Sequence, residues 1–109
     1  MLRSFHYAAY APLLAATGSV NVDDSNREEL SGWAELWAKW VSDRFLDEYL
    51  RAALGAECLP PSREDVMALL QLHVLEKAVY ELGYELNNRP HWAAIPLKGI
   101  SKSLESSNL

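Results

Sequence analysis

With 109 residues the chain forms one domain at most, and its 50% hydrophobic content allows a core, though a small one. The formal charge of −5 comes from interspersed acids and bases with no Lys/Arg run, which argues against nucleic acid as a partner. The single cysteine, Cys58, permits no internal disulfide; this suits the cytoplasm, and no His or Asp lies near Cys58 in sequence to make it a nucleophile.

The pattern along the chain predicts helices and no strand. The first helix is expected over 1–16, where Leu2, Phe5, Ala9, Leu13 and Ala16 share one face, with Pro12 kinking it or limiting its regular part. Arg3 followed by the apolar run Tyr7 to Ala16 imitates a signal peptide, but Pro12 interrupts the run and an internal helix fits it equally well. No stretch reaches the ~20 apolar residues of a membrane helix. Thr17 to Asn26 is rich in turn formers, and Ser25 with Glu28 spells a capping box for a second helix over 26–54. Gly55 is placed to supply a left-handed stop for that helix.

The apolar stripe of the second helix is not constant. Leu30, Trp33, Leu36, Trp37 and Trp40 form one face, read as core or a packing seam rather than a carbohydrate platform. Phe45, Tyr49, Ala52 and Ala53 form another, and Arg44, Glu48 and Arg51 fall where the first would continue. A bend near Ser42, or two halves packed on different neighbours, accounts for the change. Pro60-Pro61 ends any helix, and Ser62 with Asp65 offers the next cap. The third helix is expected over 63–87. Its broad apolar face, Leu70, Val74, Leu75, Ala78, Val79, Leu82 and Leu86, predicts a central helix touching several others. Asn88, Arg89 and Pro90 end it, with Arg89 expected to cap its last carbonyls. A turn, a short helix over 97–104 and a frayed tail over 105–109 complete an all-α bundle of three main helices plus one short one.

On a wheel of about 100° per residue, His73, Lys77, Tyr80, Glu81, Tyr84 and Asn88 fall on the side of the third helix away from its apolar face. Trp92 follows the Pro90 turn and is expected to fold back towards them. Aromatic rings under the C–H faces of a sugar, with carboxylates and amides taking its hydroxyls, are the chemistry of carbohydrate binding. The plainer reading makes Tyr80 and Tyr84 the rim of the core, with Glu76, Lys77, Glu81 and Glu85 a solvated charged face. The three histidines, His6, His73 and His91, lack any metal-ligand spacing, so no metal site is expected. No nucleotide loop, catalytic Asp or metal motif is recognisable, so no catalytic residue is assigned.

Two blocks carry a resemblance. LEKAVYELGYELNNRPHWAAIPL, Leu75 to Leu97, continues through Lys98, Gly99 and Ile100, and MLRSFHYAA runs from Met1 to Ala9. Both are similar to segments of the maltokinase family, including maltokinases fused to trehalose synthases, and stand in the same order. His6 and His91 stand where that family commonly has Asp, and Gly83 where it has Arg. The resemblance implies part of the C-lobe of a kinase-like, aminoglycoside-phosphotransferase-like fold. It implies a C-terminal piece of a cytoplasmic enzyme that uses ATP and Mg²⁺ to phosphorylate maltose to maltose 1-phosphate. In the family the nucleotide lobe, catalytic loop and metal-binding aspartate precede the first block. The chain alone is therefore expected to be inactive and to need an N-terminal kinase portion as partner. Tyr80, Glu81, Tyr84 and Trp92 are the implied sugar contacts for maltose or a related disaccharide, with Lys77, Asn88 and Arg89 in support. Apolar surface that faced the rest of the lobe is expected to be exposed and to promote self-association. The competing expectation is a stand-alone helical interaction module without catalysis.

Overall fold

A computed structural model describes residues 1–17 and 25–107. The described residues form four α-helices and one 3-10 turn, with no strand: α1 (Leu2–Thr17), α2 (Ser25–Ala53), α3 (Arg63–Asn88), the turn Pro90–Trp92, and α4 (Ala94–Ser107). The turn formers between Thr17 and Ser25, and the side chain of Ser25 on which a capping box depends, lie outside the described residues.

Local chemistry sets the visible boundaries. Gly55 adopts φ of 99°, a region open to glycine, and the chain leaves α2 just before it. Ser62 is extended, and its hydroxyl accepts from the backbone N–H of Asp65 at 3.4 Å, so α3 starts at Arg63. At the other end of α3 the Asn87 and Asn88 amides donate to the carbonyls of Gly83 and Tyr84, at 3.0 and 2.8 Å. Arg89 is the C-cap as expected, but through its backbone N–H, which donates to the Glu85 carbonyl at 2.7 Å, while its side chain turns to the Glu85 carboxylate. α1 runs through Pro12 to Thr17, and α2 is unbroken across Ser42. α4 begins three residues before the expected Leu97 and extends past Leu104 to Ser107. Pro96 is tolerated in its first turn because the N–H groups there have no intrahelical acceptor. No helix among the described residues is long and apolar enough to cross a membrane.

Two helices share the middle of the fold: α1 packs on α2, α3 and α4, and α3 meets α4, the 3-10 turn and α1. Tyr10, Leu13 and Leu14 of α1 close on Ile95 of α4, with Ala34 of α2 and Trp92 packed around them. The small Ala34 and Ala38 let α1 lie close to α2. Further along, the Phe5 and Phe45 rings meet edge to face, 5.5 Å between centroids. The expected core stripe of α2 faces outward instead: Trp33, Trp37 and Trp40 are 61%, 46% and 67% exposed, and Leu30 and Leu36 are exposed beside them. Val79 and Leu86, expected on the apolar face of α3, are also exposed. The 46 Å long axis of the molecule is close to the ~43 Å expected of a 29-residue helix, the length of α2.

Candidate functional site

A groove of about 880 Å³ opens between the start of α1, the second half of α2 and the length of α3. Three of the four expected sugar-contacting residues line it, Tyr80, Glu81 and Tyr84, together with Lys77 and Arg89. Tyr80 and Tyr84 are 65% and 49% exposed, one turn apart. Lys77 lies over the Tyr80 ring with its ammonium 4.7 Å from the centroid. Trp92 and Asn88 are not in the lining. Trp92 packs against the core, 6.3 Å from the ring of Tyr7 and beneath the Arg89 guanidinium at 4.1 Å. Asn88 is occupied in capping Tyr84.

The floor of the groove is a charged ladder that joins α1 to α3. Arg3 donates through Nε and Nη2 to Glu81, at 3.1 and 2.8 Å to Oε2, and both side chains are nearly enclosed. One turn further, the Tyr7 hydroxyl donates to Glu85 Oε1 at 3.3 Å. Arg89 closes on the same carboxylate as a fork, Nη2 to Oε1 at 2.7 Å and Nε to Oε2 at 3.0 Å. The spacing explains the register. Arg3 and Tyr7 are one turn apart on α1, and Glu81, Glu85 and Arg89 follow at four-residue steps on α3. Burial and the charges of Glu81 and Glu85 raise the pKa of Tyr7, so its phenol stays protonated and a donor. Glu81, though buried, lies in the groove lining, and a carboxylate has about four acceptor sites, so it keeps some acceptor capacity beyond its bonds to Arg3.

Glu85 overturns the reading of a solvated charged face: it is 1% exposed and fully partnered. Glu81 is buried as well, while Lys77 and Glu76 remain at the surface. The missed signal is the four-residue repeat of Arg3 and Tyr7 set against that of Glu81, Glu85 and Arg89.

Gly99 completes the ladder from behind. A Cβ built there would overlap the Arg3 guanidinium, so glycine at this position gives the buried arginine room against α4. His6, on the next face of α1, makes a 3.2 Å hydrogen bond through Nε2 to the carbonyl of Ile95 and lies on the Tyr10 ring. With Nε2–H as the donor the imidazole is neutral at Nδ1. Burial first, and then the charge of Arg3, lowers its pKa from 6.5 to about 4. Because the folded value lies below the unfolded one, the unfolded chain binds more protons between them. Stability is therefore expected to be flat above pH 6.5 and to fall by about 2–3 kcal/mol as pH drops towards 4. Urea titrations at several pH values measure this, and His6→Gln should remove that part of the slope while leaving the slope from the carboxylates.

Tyr10 is fully buried, and its hydroxyl has no hydrogen-bond partner among the described residues. Burial and the charge of Glu35 push its pKa up to about 12. Among the described residues no group of three His, Cys, Asp or Glu side chains is placed to hold a metal ion. Cys58 is exposed.

No protein-family model and no solved structure matches this chain. The functional reading therefore rests on the residues themselves.

Proposed function

We propose that the chain is the C-terminal helical part of a maltokinase-like protein and forms one wall of its sugar pocket. In this reading the parent transfers the γ-phosphoryl of ATP, with Mg²⁺, to maltose, and this part supplies side chains and support but no catalysis. One observation carries the reading: the two sequence blocks that resemble the family interlock around the groove. Arg3 and Glu81 bond across it, Tyr7 and Glu85 do so one turn on, His6 bonds to Ile95, and Gly99 backs Arg3. A volume of about 880 Å³ is in the range of small-ligand sites, roughly 300–1,000 Å³, and leaves room for a disaccharide. Tyr80 and Tyr84 offer rings for its C–H faces, while Glu81 and Lys77 offer an acceptor and a donor for its hydroxyls.

Because the groove is open and the nucleotide side is absent from these residues, maltose is expected to bind only in the millimolar range. Amide-resolved NMR titration should show shifts concentrated around Tyr80, Glu81 and Tyr84, with no maltose 1-phosphate formed when ATP and Mg²⁺ are added. Shifts nowhere near α3, or phosphorylation by this chain alone, would overturn the reading. The exposed tryptophan stripe of α2 favours a second reading, a helical interaction module without a sugar role. An absence of sugar shifts together with protein association through α2 would support that one.

A further inference from the structure

We infer that the outer face of α2 is a self-complementary surface that pairs two copies of this chain, helix against helix in antiparallel orientation. The stripe lies on the far side of α2 from Ala34 and Ala38, which face α1. At about 100° per residue, Glu29, Trp33, Leu36, Trp37, Trp40 and Arg44 all fall within roughly 100° of circumference, a single narrow seam about four turns long.

The order of residues along the seam argues for a second copy rather than an unrelated partner. Place a twofold axis between Leu36 and Trp37. Leu36 then meets Trp37 of the partner copy, Trp33 meets Trp40, and Glu29 meets Arg44. Trp33, Leu36, Trp37 and Trp40 each face an apolar residue, Leu30 at the edge of the seam falls opposite Asp43, and each end places an acid opposite a base, twice by symmetry. A parallel pairing would instead set Glu29 against Glu29 and Arg44 against Arg44. Both end residues are free to turn outward, since Glu29 is exposed and Arg44 makes only a 3.8 Å contact to Glu48 at the surface.

The area fits this occupant. The exposed parts of the three indoles with Leu30 and Leu36 present roughly 500 Å², at about 150–250 Å² for a whole aromatic side chain. Two copies together would bury about 1,000 Å², the lower end for a specific interface. The pairing leaves the groove open, because Tyr80 and Tyr84 lie on α3 and the seam, which ends at Arg44, includes none of the α2 residues that line the groove. It is therefore independent of the sugar reading.

Sedimentation equilibrium of the full chain tests the proposal. The expected result is a reversible monomer–dimer equilibrium. Trp37→Glu should raise the dissociation constant by at least about 30-fold, as loss of a central aromatic anchor does. Its exposed position means that far-UV circular dichroism and thermal unfolding of the monomer should not change. Arg44→Glu should weaken pairing about fivefold or more by opposing Glu29, and Glu29→Arg/Arg44→Glu should restore it. A monomer at concentrations up to about 200 µM overturns the proposal. So does a dimer that ignores Trp37→Glu, and a failure of the double charge reversal to rescue overturns the antiparallel register.

Discussion

Replacing Arg3 by methionine is expected to lower the unfolding free energy by about 3–5 kcal/mol, one of the largest losses available to a single buried ion pair in a domain this small. The loss arises from what is left behind more than from what is removed. Glu81 is buried and accepts from two N–H groups of Arg3, that on Nε shared between both its oxygens. Without the guanidinium its carboxylate stays in a low-dielectric site with no counter-charge. Methionine fills much of the space of the arginine stem, so packing changes little. The double variant Arg3→Met/Glu81→Leu should therefore regain stability to within about 1 kcal/mol of the starting chain. Arg89→Met makes a useful contrast. Its side chain is 43% exposed, and Glu85 keeps the hydrogen bond from Tyr7, so the loss should be clearly smaller than that of Arg3→Met. Urea titration followed by far-UV circular dichroism measures all four proteins. Equal losses from Arg3→Met and the double variant would refute a coupled pair.

Ile95→Ala is expected to lower stability by about 2–5 kcal/mol, while Trp37→Ala leaves it within about 0.5 kcal/mol. Ile95 has no exposed surface and is enclosed by Tyr10, Leu13 and Leu14, so truncation leaves a cavity where three α1 side chains meet. Trp37 is almost half exposed and is absent from the core cluster. Measurements at low micromolar concentration keep self-association from adding to the apparent stability. A large loss at Trp37 in the monomer, or a negligible one at Ile95, would mean that α2 packs with its indoles inward.

That pair of substitutions marks where the sequence was readable. Gly55 and the Ser62–Asp65 cap act within a few residues of themselves, and both are visible as local chemistry. Helix existence follows the same way from short-range spacing. The direction in which a helix turns its faces does not. A wheel finds that Trp33, Trp37 and Trp40 share a side of α2, but it does not say whether that side meets another helix. The small side chains of Ala34 and Ala38 give the better clue, since only small residues allow α1 to approach so closely. The same limit applies at the groove. Tyr80, Glu81 and Tyr84 could be grouped from their spacing on α3. Glu81 and Glu85 looked solvated because their partners on α1 lie 78 residues away, beyond the reach of any periodicity. Trp92 was expected at the groove because it follows a turn. The turn carries it instead onto Arg89 and the α1 core, where its apolar ring is covered.

The long-range bonds of α1 also bear on when this domain can form. The bonds that hold α1 to its neighbours span 78 residues at Arg3 and Tyr7 and 89 at His6. The core closes the first of these helices onto the last, although most contacts in the domain join residues close in sequence, as is usual for helical domains. During synthesis at roughly 5–20 residues per second, Arg3 emerges several seconds before Glu81 exists. Through that interval, of the four helices only α2 is available to α1, and Arg3 and Tyr7 lack the carboxylates of Glu81 and Glu85. The completed fold therefore depends on the arrival of α3 and α4, and an unfinished chain presents both the groove face of α1 and the tryptophan seam of α2 to whatever surrounds it.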